Sequence, residues 1–246
     1  MTKEDIILCG YPRSGHHWLR YILEYFTQKN SFGNLHGEKL IKAQQPLRLD
    51  YAKDLGKAID DMGEILFSHA GQRHKLKNYF DDKTKFIFPL RNYKECVIRH
   101  QSKRYKHEDM NEDLLWNCIQ LKIDKETMFD EDKLPTYLDH LFIFDSWEGK
   151  TLLVYYEDLM EDFSKTLTKI LNFLDVDLKK KKPFLKNLKK HKTNSLNFYG
   201  NYIAKPESDG KIFHHQNHVD KSILDGIDNK IKECHLYDKY LKRYGE

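Results

Sequence analysis

Short apolar runs alternate along this chain with longer stretches in which apolar residues recur every three or four positions, the pattern of strands alternating with helices. Ile6 to Cys9 is the first run, too short for a membrane span and suited to a strand covered on both faces. Trp18, Leu19, Ile22, Leu23 and Phe26 then predict a helix with one apolar stripe. Ile65 to Phe67, Phe86 to Leu90 and Leu152 to Tyr156 supply three further strands. Helices are expected from Arg91-Asn92 to about Tyr105, over residues 112–127 and 135–144, through Leu167, Ile170, Leu171 and Leu174, and from Ile223 through Ile227, Ile231 and Cys234 to Leu241. Pro89 argues for a strand end or an irregularity rather than a regular central position. The expected fold class is α/β, a three-layer open and mostly parallel sheet flanked by helices, as one domain over residues 1–246.

The first strand runs into Gly10-Tyr-Pro-Arg-Ser-Gly15 and straight on into a helix. Such a loop aims successive backbone N–H groups at an anion, and the helix start adds partial positive charge. The spacing of Gly10 and Gly15 fits the nucleotide-binding signature GxxxxGK[ST], but His16 and His17 stand where the phosphate-gripping lysine and the magnesium-binding hydroxyl belong. Positive charge comes earlier, at Arg13, whose planar fork suits a phosphate or sulfate. The expectation is an anion cradle that needs no metal.

Composition narrows the class. Of 246 residues, 39% are hydrophobic and 13% aromatic, enough for a substantial core despite 33% charged residues. Cys9, Cys96, Cys118 and Cys234 form no metal-binding spacing and read as reduced cysteines of a cytosolic protein. No signal peptide and no run of eighteen apolar residues is present, so no membrane span is expected. Lys179 to Lys182, Lys186, Lys189, Lys190 and Lys192 concentrate eight charges without an acid, leaving 34 basic against 38 acidic residues elsewhere. That segment reads as a solvated face, or one near a polyanionic cofactor, rather than a nucleic-acid surface. His214, His215 and His218 cluster without an accompanying cysteine or carboxylate set, so no metal is expected.

In an open parallel sheet, ligands bind beyond the C-terminal strand ends. His69 follows one strand, where a neutral imidazole could take a proton from an acceptor hydroxyl; His74 competes from a polar stretch. Arg91 follows another strand at the same edge as Arg13. The long connection of residues 30–63, with helical character only over 52–62, could wall the site, which makes His36, Lys39, Lys42 and Arg48 acceptor-site candidates.

Tyr11-Pro-Arg-Ser-Gly-His-His-Trp18 resembles the 5′-phosphosulfate loop YPKSGTTW of the sulfotransferases that use 3′-phosphoadenosine-5′-phosphosulfate (PAPS). Arg13 replaces lysine, and His16-His17 replaces the threonine pair. Ser68-His-Ala-Gly71 is similar to that family's THLP segment, whose histidine is the catalytic base. Arg91-Asn-Tyr-Lys-Glu-Cys-Val-Ile-Arg99 resembles the 3′-phosphate motif RNPKDVxVS, with Arg99 at the serine position and Ser102 one turn further on. Tyr155-Tyr-Glu-Asp-Leu159 resembles YYEDM, which would bring Tyr156 and Trp18 to the adenine; Thr193 is a weaker candidate there. The family's R-K-G closing loop has no clear counterpart, although Lys205 or Lys211 could supply its charge.

The resemblance implies a P-loop-like fold and sulfuryl transfer from PAPS, with adenosine 3′,5′-bisphosphate (PAP) as product and a hydroxyl acceptor of unknown class: small molecule, glycan, lipid or peptide. It makes His69 and Arg13 catalytic. Arg13, Ser14, Gly15, His16, His17, Trp18, Arg91, Arg99 and Tyr156 would hold the cofactor. The lack of a span groups the chain with the family's soluble, cytoplasmic members. A P-loop nucleotide kinase and an inactive nucleotide-binding scaffold remain the alternatives, and the oligomeric state stays open.

Overall fold

The computed structural model describes residues 6–28, 30–32, 64–68, 83–130, 135–200 and 215–245. Within these, β1 (Ile6–Cys9), β2 (Asn30–Phe32), β3 (Glu64–Ser68), β4 (Lys85–Leu90) and β5 (Thr151–Tyr155) form one sheet in the order β2-β3-β1-β4-β5. Every ladder is parallel. β1 is central, with β3 and β2 to one side and β4 and β5 to the other, so the winding reverses beside it. A crevice therefore opens beyond its C-terminal end.

The strand period of two feeds two cores. Ile7, Cys9, Phe86, Phe88 and Leu90 point to one face, where they meet Tyr93, Val97, Leu115, Leu141 and Ile227. Ile6, Leu8 and Ile87 point to the other, against Leu19, Ile22, Leu23, Phe26, Leu167, Ile170 and Phe184. Each fully buried aliphatic or phenyl side chain stabilises the fold by ~1.5–3 kcal/mol relative to exposure. The helices α1 (His16–Thr27), α2 (Tyr93–Gln101), α3 (Glu112–Ile119), α4 (Tyr137–Asp145), α5 (Tyr156–Glu161), α6 (Phe163–Phe173), α7 (Lys181–Lys186), α8 (Leu188–Gly200) and α9 (Lys221–Lys232) complete the outer layers among the described residues.

Several expected boundaries move, each for a local reason. Pro89 lies inside β4, paired with Val154. The Phe86 N–H donates to Lys150 of the β5 side, so by alternation the side of Pro89 that lacks an N–H faces β1, whose ladder with β4 ends at Leu8 and Ile87. There Gly10 takes over: a Cβ on it would sit 2.9 Å from the Pro89 carbonyl oxygen, so β1 can leave the sheet only through glycine. The helix expected over 112–127 stops at Ile119. Gln120 turns extended, and its carbonyl accepts from the Thr136 hydroxyl at 2.6 Å, while the Lys122 N–H donates to Asp139 at 2.7 Å. Asp162 separates α5 from α6, its carboxylate accepting from the Lys165 N–H and capping α6. The final helix ends at Lys232, and a π-helical turn, Tyr237–Leu241, carries the chain onward.

Candidate active site

The loop between β1 and α1 is strained in the way an anion cradle requires. Arg13 and Gly15 both have positive φ, at 74° and 98°. Gly15 begins α1 with no side chain capping the helix. Ser14 braces the turn by donating its hydroxyl to the Tyr11 carbonyl at 2.7 Å. With that proton committed, the 3.2 Å contact between Ser14 Oγ and His16 Nδ1 makes the imidazole the donor. His16 is thus buried against its own loop, and His17 is half-buried.

Tyr156, the first residue after β5, packs on this loop so closely that a Cβ on Gly15 would lie 2.7 Å from its ring. The Arg91 guanidinium covers the same ring at 4.4 Å from the centroid and donates to the Arg13 carbonyl at 3.4 Å. Arg91 is buried and held by Glu95 at 3.6 Å. Glu95 in turn accepts from the His215 and Gln216 N–H groups at 3.1 and 3.0 Å. Asn92 caps α2 by accepting from the Lys94 N–H, its own N–H donates to Glu157, and Lys94 pairs with Asp228 at 2.8 Å. The RN-x-KE string therefore builds its own scaffold, with Arg91 aimed by Glu95 and the helix anchored by the rest.

Arg99 extends the charge. Burial and then the like charge of Arg91 lower its pKa, and Tyr156 is also within its field. Burial and then Arg99 lower that of Arg13. Among the described residues no carboxylate lies within 4 Å of Arg13 or Arg99. Cations that repel each other at a glycine-bounded helix start form a site for a polyanion. Ser102, by contrast, donates its hydroxyl to the Arg99 carbonyl at 3.0 Å.

The other sequence candidates lie in the first turn of α1, on the lysine-rich face or outside the described residues. Trp18 is half-buried and stacks on Tyr21 at 5.6 Å and 12°, with Phe163 and Phe184 on its flanks. Thr193 is exposed and donates to the Lys189 carbonyl at 3.0 Å. Lys179, Lys180, Lys182, Lys186, Lys189, Lys190 and Lys192 are exposed, a solvated face over Phe184, whereas Lys181 is half-buried and donates to Thr168. His69 lies outside the described residues, as do His36, Lys39, Lys42, Arg48, His74, Lys205, Lys211 and His214; the strand before His69 ends at Ser68, paired with Cys9 where the loop begins. All four cysteines are free thiols. A cavity of about 660 Å³ opens at the opposite end of the sheet, beside Ile6, Lys85 and Asp175, remote from this charge.

A family profile for the sulfotransferase domain matches residues 3–239. This chain belongs to the sulfotransferase family. Sulfotransferase 1C2 of Homo sapiens is 20% identical over 190 residues, which is 70% of this chain and 58% of the relative. Sulfotransferase 1A1 of Rattus norvegicus is 22% identical over 188 residues, 70% and 60% of the two chains. The matched part is thus less than two thirds of those relatives' length. The fold agrees with a crystal structure of a mouse sulfotransferase complexed with PAP, at a TM-score of 0.61 and 18% identity, covering 99% of this chain and 90% of that one. It agrees equally with retinol dehydratase in complex with androsterone and PAP, at 0.61 and 15%, covering 98% and 83%. Among the described residues of this chain, no helix is long and apolar enough to cross a membrane, and no group of three metal-ligating side chains converges.

Sequence reasoning missed Glu95 as the residue that aims Arg91, and Tyr156 as the wall that demands glycine at 15. Glu95 lies one helical turn from Arg91 inside the same motif, where its spacing could have shown the pair, whereas the contact of Tyr156 with Gly15 is made across the fold.

Proposed function

We propose that this protein transfers a sulfuryl group from PAPS to an acceptor hydroxyl and releases PAP. The observation that carries this reading is the set Arg13, Arg91 and Arg99 around an uncapped helix start at the sheet's central C-terminal edge. Its charge and aromatic wall fit a nucleotide with anionic groups at both ends. Arg13 and the backbone N–H groups of Ser14, Gly15, His16, His17 and Trp18 would hold the 5′ end. Arg91 and Arg99 would hold the 3′-phosphate, with Tyr156 and Trp18 on the adenine side. Bound there, the donor supplies a sulfuryl group whose bond to phosphate oxygen breaks as one to the acceptor oxygen forms.

The chain's own residues then have separate tasks. Arg13 stabilises negative charge growing on the leaving phosphate, and the loop N–H groups share that load. His69 takes the acceptor's proton. Arg91, fixed by Glu95, positions the far end without touching the reacting atoms. No metal is required, since cations already occupy the place of one; a kinase reading is disfavoured because His16 and His17 replace the lysine and hydroxyl that such chemistry uses.

The chain would act as one domain over residues 1–246, in the cytoplasm. Four free thiols support that compartment, as does a 22% identical relative in Danio rerio named cytosolic sulfotransferase 1. The test is PAP release from PAPS over a panel of phenols, sugars and sterols, comparing wild type with His69→Ala. A fall of about 10²–10⁴-fold in turnover with PAP affinity retained is expected, the scale of a positioned proton-transfer group. Near-normal turnover in the variant would remove His69 from the mechanism.

A further inference from the structure

We propose that the lysine face of α7 and α8 seats the protein on an anionic lipid surface, with Leu178 entering the headgroup layer. This concerns where the protein works rather than what it transfers, and it stands independently of the sulfuryl-transfer reading.

The sequence from Leu178 to Pro206 contains no acid, and eight lysines fall within residues 179–192. Seven of the eight are exposed. Among the described residues no carboxylate lies within 4 Å of their ammonium groups. Asp177, the last acid before the run, is turned to its own backbone and accepts from the Lys179 N–H at 2.9 Å.

Local geometry gathers the charge onto one face. The turn Leu178–Lys180 leads directly into α7, and Lys179, Lys182 and Lys186 follow at spacings of three and four, a single stripe of that run. On the inner side Phe184 is fully buried and Lys181 donates to Thr168 at 2.7 Å. The stripe ends at a shallow depression of about 440 Å³, where Lys186 meets Lys189 and Lys190 of α8 beside Thr193. α8 is held in place by His191, whose ring stacks on Phe184 at 4.1 Å and 7° and whose Nδ1 lies 2.8 Å from the Tyr21 hydroxyl of α1. The cations are thus fixed to the body of the fold.

The chemistry of the face favours lipid over nucleic acid. Every cation of the run is a lysine, a point charge without the fork by which arginine grips phosphate oxygens in pairs. The phenyl ring of the run, Phe184, is buried and offers a base no stacking platform. Among the described residues only two large apolar side chains are exposed, and one of them, Leu178 at 43%, stands one turn before Lys182. An apolar side chain flanked by lysines matches the boundary of an anionic bilayer, where charge draws the protein in and hydrocarbon contact retains it.

The test is sedimentation of the full chain with phosphatidylcholine vesicles, with and without phosphatidylserine. Binding should be at least about tenfold tighter to the anionic vesicles, and high salt should release it. Lys186→Gln/Lys189→Gln/Lys190→Gln should weaken it by about 10–100-fold, the scale of three lysines near such a surface. Lys122→Gln/Lys125→Gln/Lys232→Gln, which removes the same charge from exposed sites elsewhere, should change it by no more than about twofold. Leu178→Gln should weaken it about fivefold with the salt dependence unchanged. The variants of the face should keep the wild-type melting midpoint and PAP affinity. Equal binding to both kinds of vesicle, no binding to either, or equal losses in the two triple variants overturns the inference. So does full vesicle affinity in Leu178→Gln, or tighter binding of a duplex oligonucleotide than of anionic vesicles at equal phosphate and salt, either of which would make this a general polyanion contact. A loss of PAP affinity in Lys186→Gln/Lys189→Gln/Lys190→Gln as large as the loss for vesicles overturns it too, by assigning these lysines to the donor.

Discussion

Gly15→Ala should destabilise the protein by about 2–4 kcal/mol, and the cost should divide into two separable parts. The first is backbone strain, since a φ of 98° lies where an L-residue is disfavoured by ~1–2 kcal/mol. The second is steric, because the new methyl would lie 2.7 Å from Tyr156 Cδ2. The ring cannot retreat freely with the Arg91 guanidinium on it at 4.4 Å and Arg91 itself tied to Glu95. Overpacking of this kind costs ~1–3 kcal/mol, offset slightly by the lower entropy of the unfolded alanine chain, ~0.4–1 kcal/mol. Urea unfolding of Gly15→Ala, Tyr156→Ala and the double variant separates the parts. In the Tyr156→Ala background the substitution should cost only the strain, ~1–2 kcal/mol. An equal cost in both backgrounds would refute the claim that Tyr156 is what demands glycine here.

Three other outcomes are expected. Tyr244→Phe should cost ~1.5–3 kcal/mol in urea unfolding, because its hydroxyl donates to the buried Glu157 carboxylate at 2.7 Å; a change below ~0.5 kcal/mol would mean that the C-terminal turn does not brace the start of α5. Burial, then Arg13, Lys103, Arg104 and His140, lower the His100 pKa from 6.5 to about 4, so between those pH values the unfolded chain binds a proton that the folded one does not. Stability should fall as pH drops from 6.5 to 4, by at most ~1.4 kcal/mol per pH unit from this group, and His100→Gln should flatten that slope; an unchanged slope would contradict a ring kept neutral. Arg99→Ala should weaken PAP by about 10–100-fold and AMP much less, with Ser102→Ala nearly silent in the same calorimetry; the reverse ranking would hand the 3′-phosphate to Ser102.

What the sequence made legible is what short-range chemistry controls. The strands β1 and β4 follow from short continuous apolar runs buried on both faces, and α1 from its apolar stripe. The strained loop follows from two glycines bracketing Arg13. Arg99 stands where a serine would be in the related motif, and the structure sets it in the field of Arg91 and Tyr156. What was illegible depends on partners distant in sequence. Nothing near Gly15 announces Tyr156, and nothing near Glu157 announces Tyr244. Apolar spacing past Ile119 still reads as helix, because Thr136 and Asp139, which draw the backbone away, come from the next element. Pro89 misleads for a related reason: whether proline fits a central strand depends on where the neighbouring strand ends, and only the register of β1 supplies that.

The central claim, that this crevice is built for a nucleotide carrying phosphate at both ends, is tested most directly by titrating the protein with PAP and with AMP in EDTA. The account predicts that PAP binds at least tenfold more tightly, since Arg91 and Arg99 act only on the 3′-phosphate, and that chelation costs nothing. Equal affinities, or binding that requires magnesium, would contradict it.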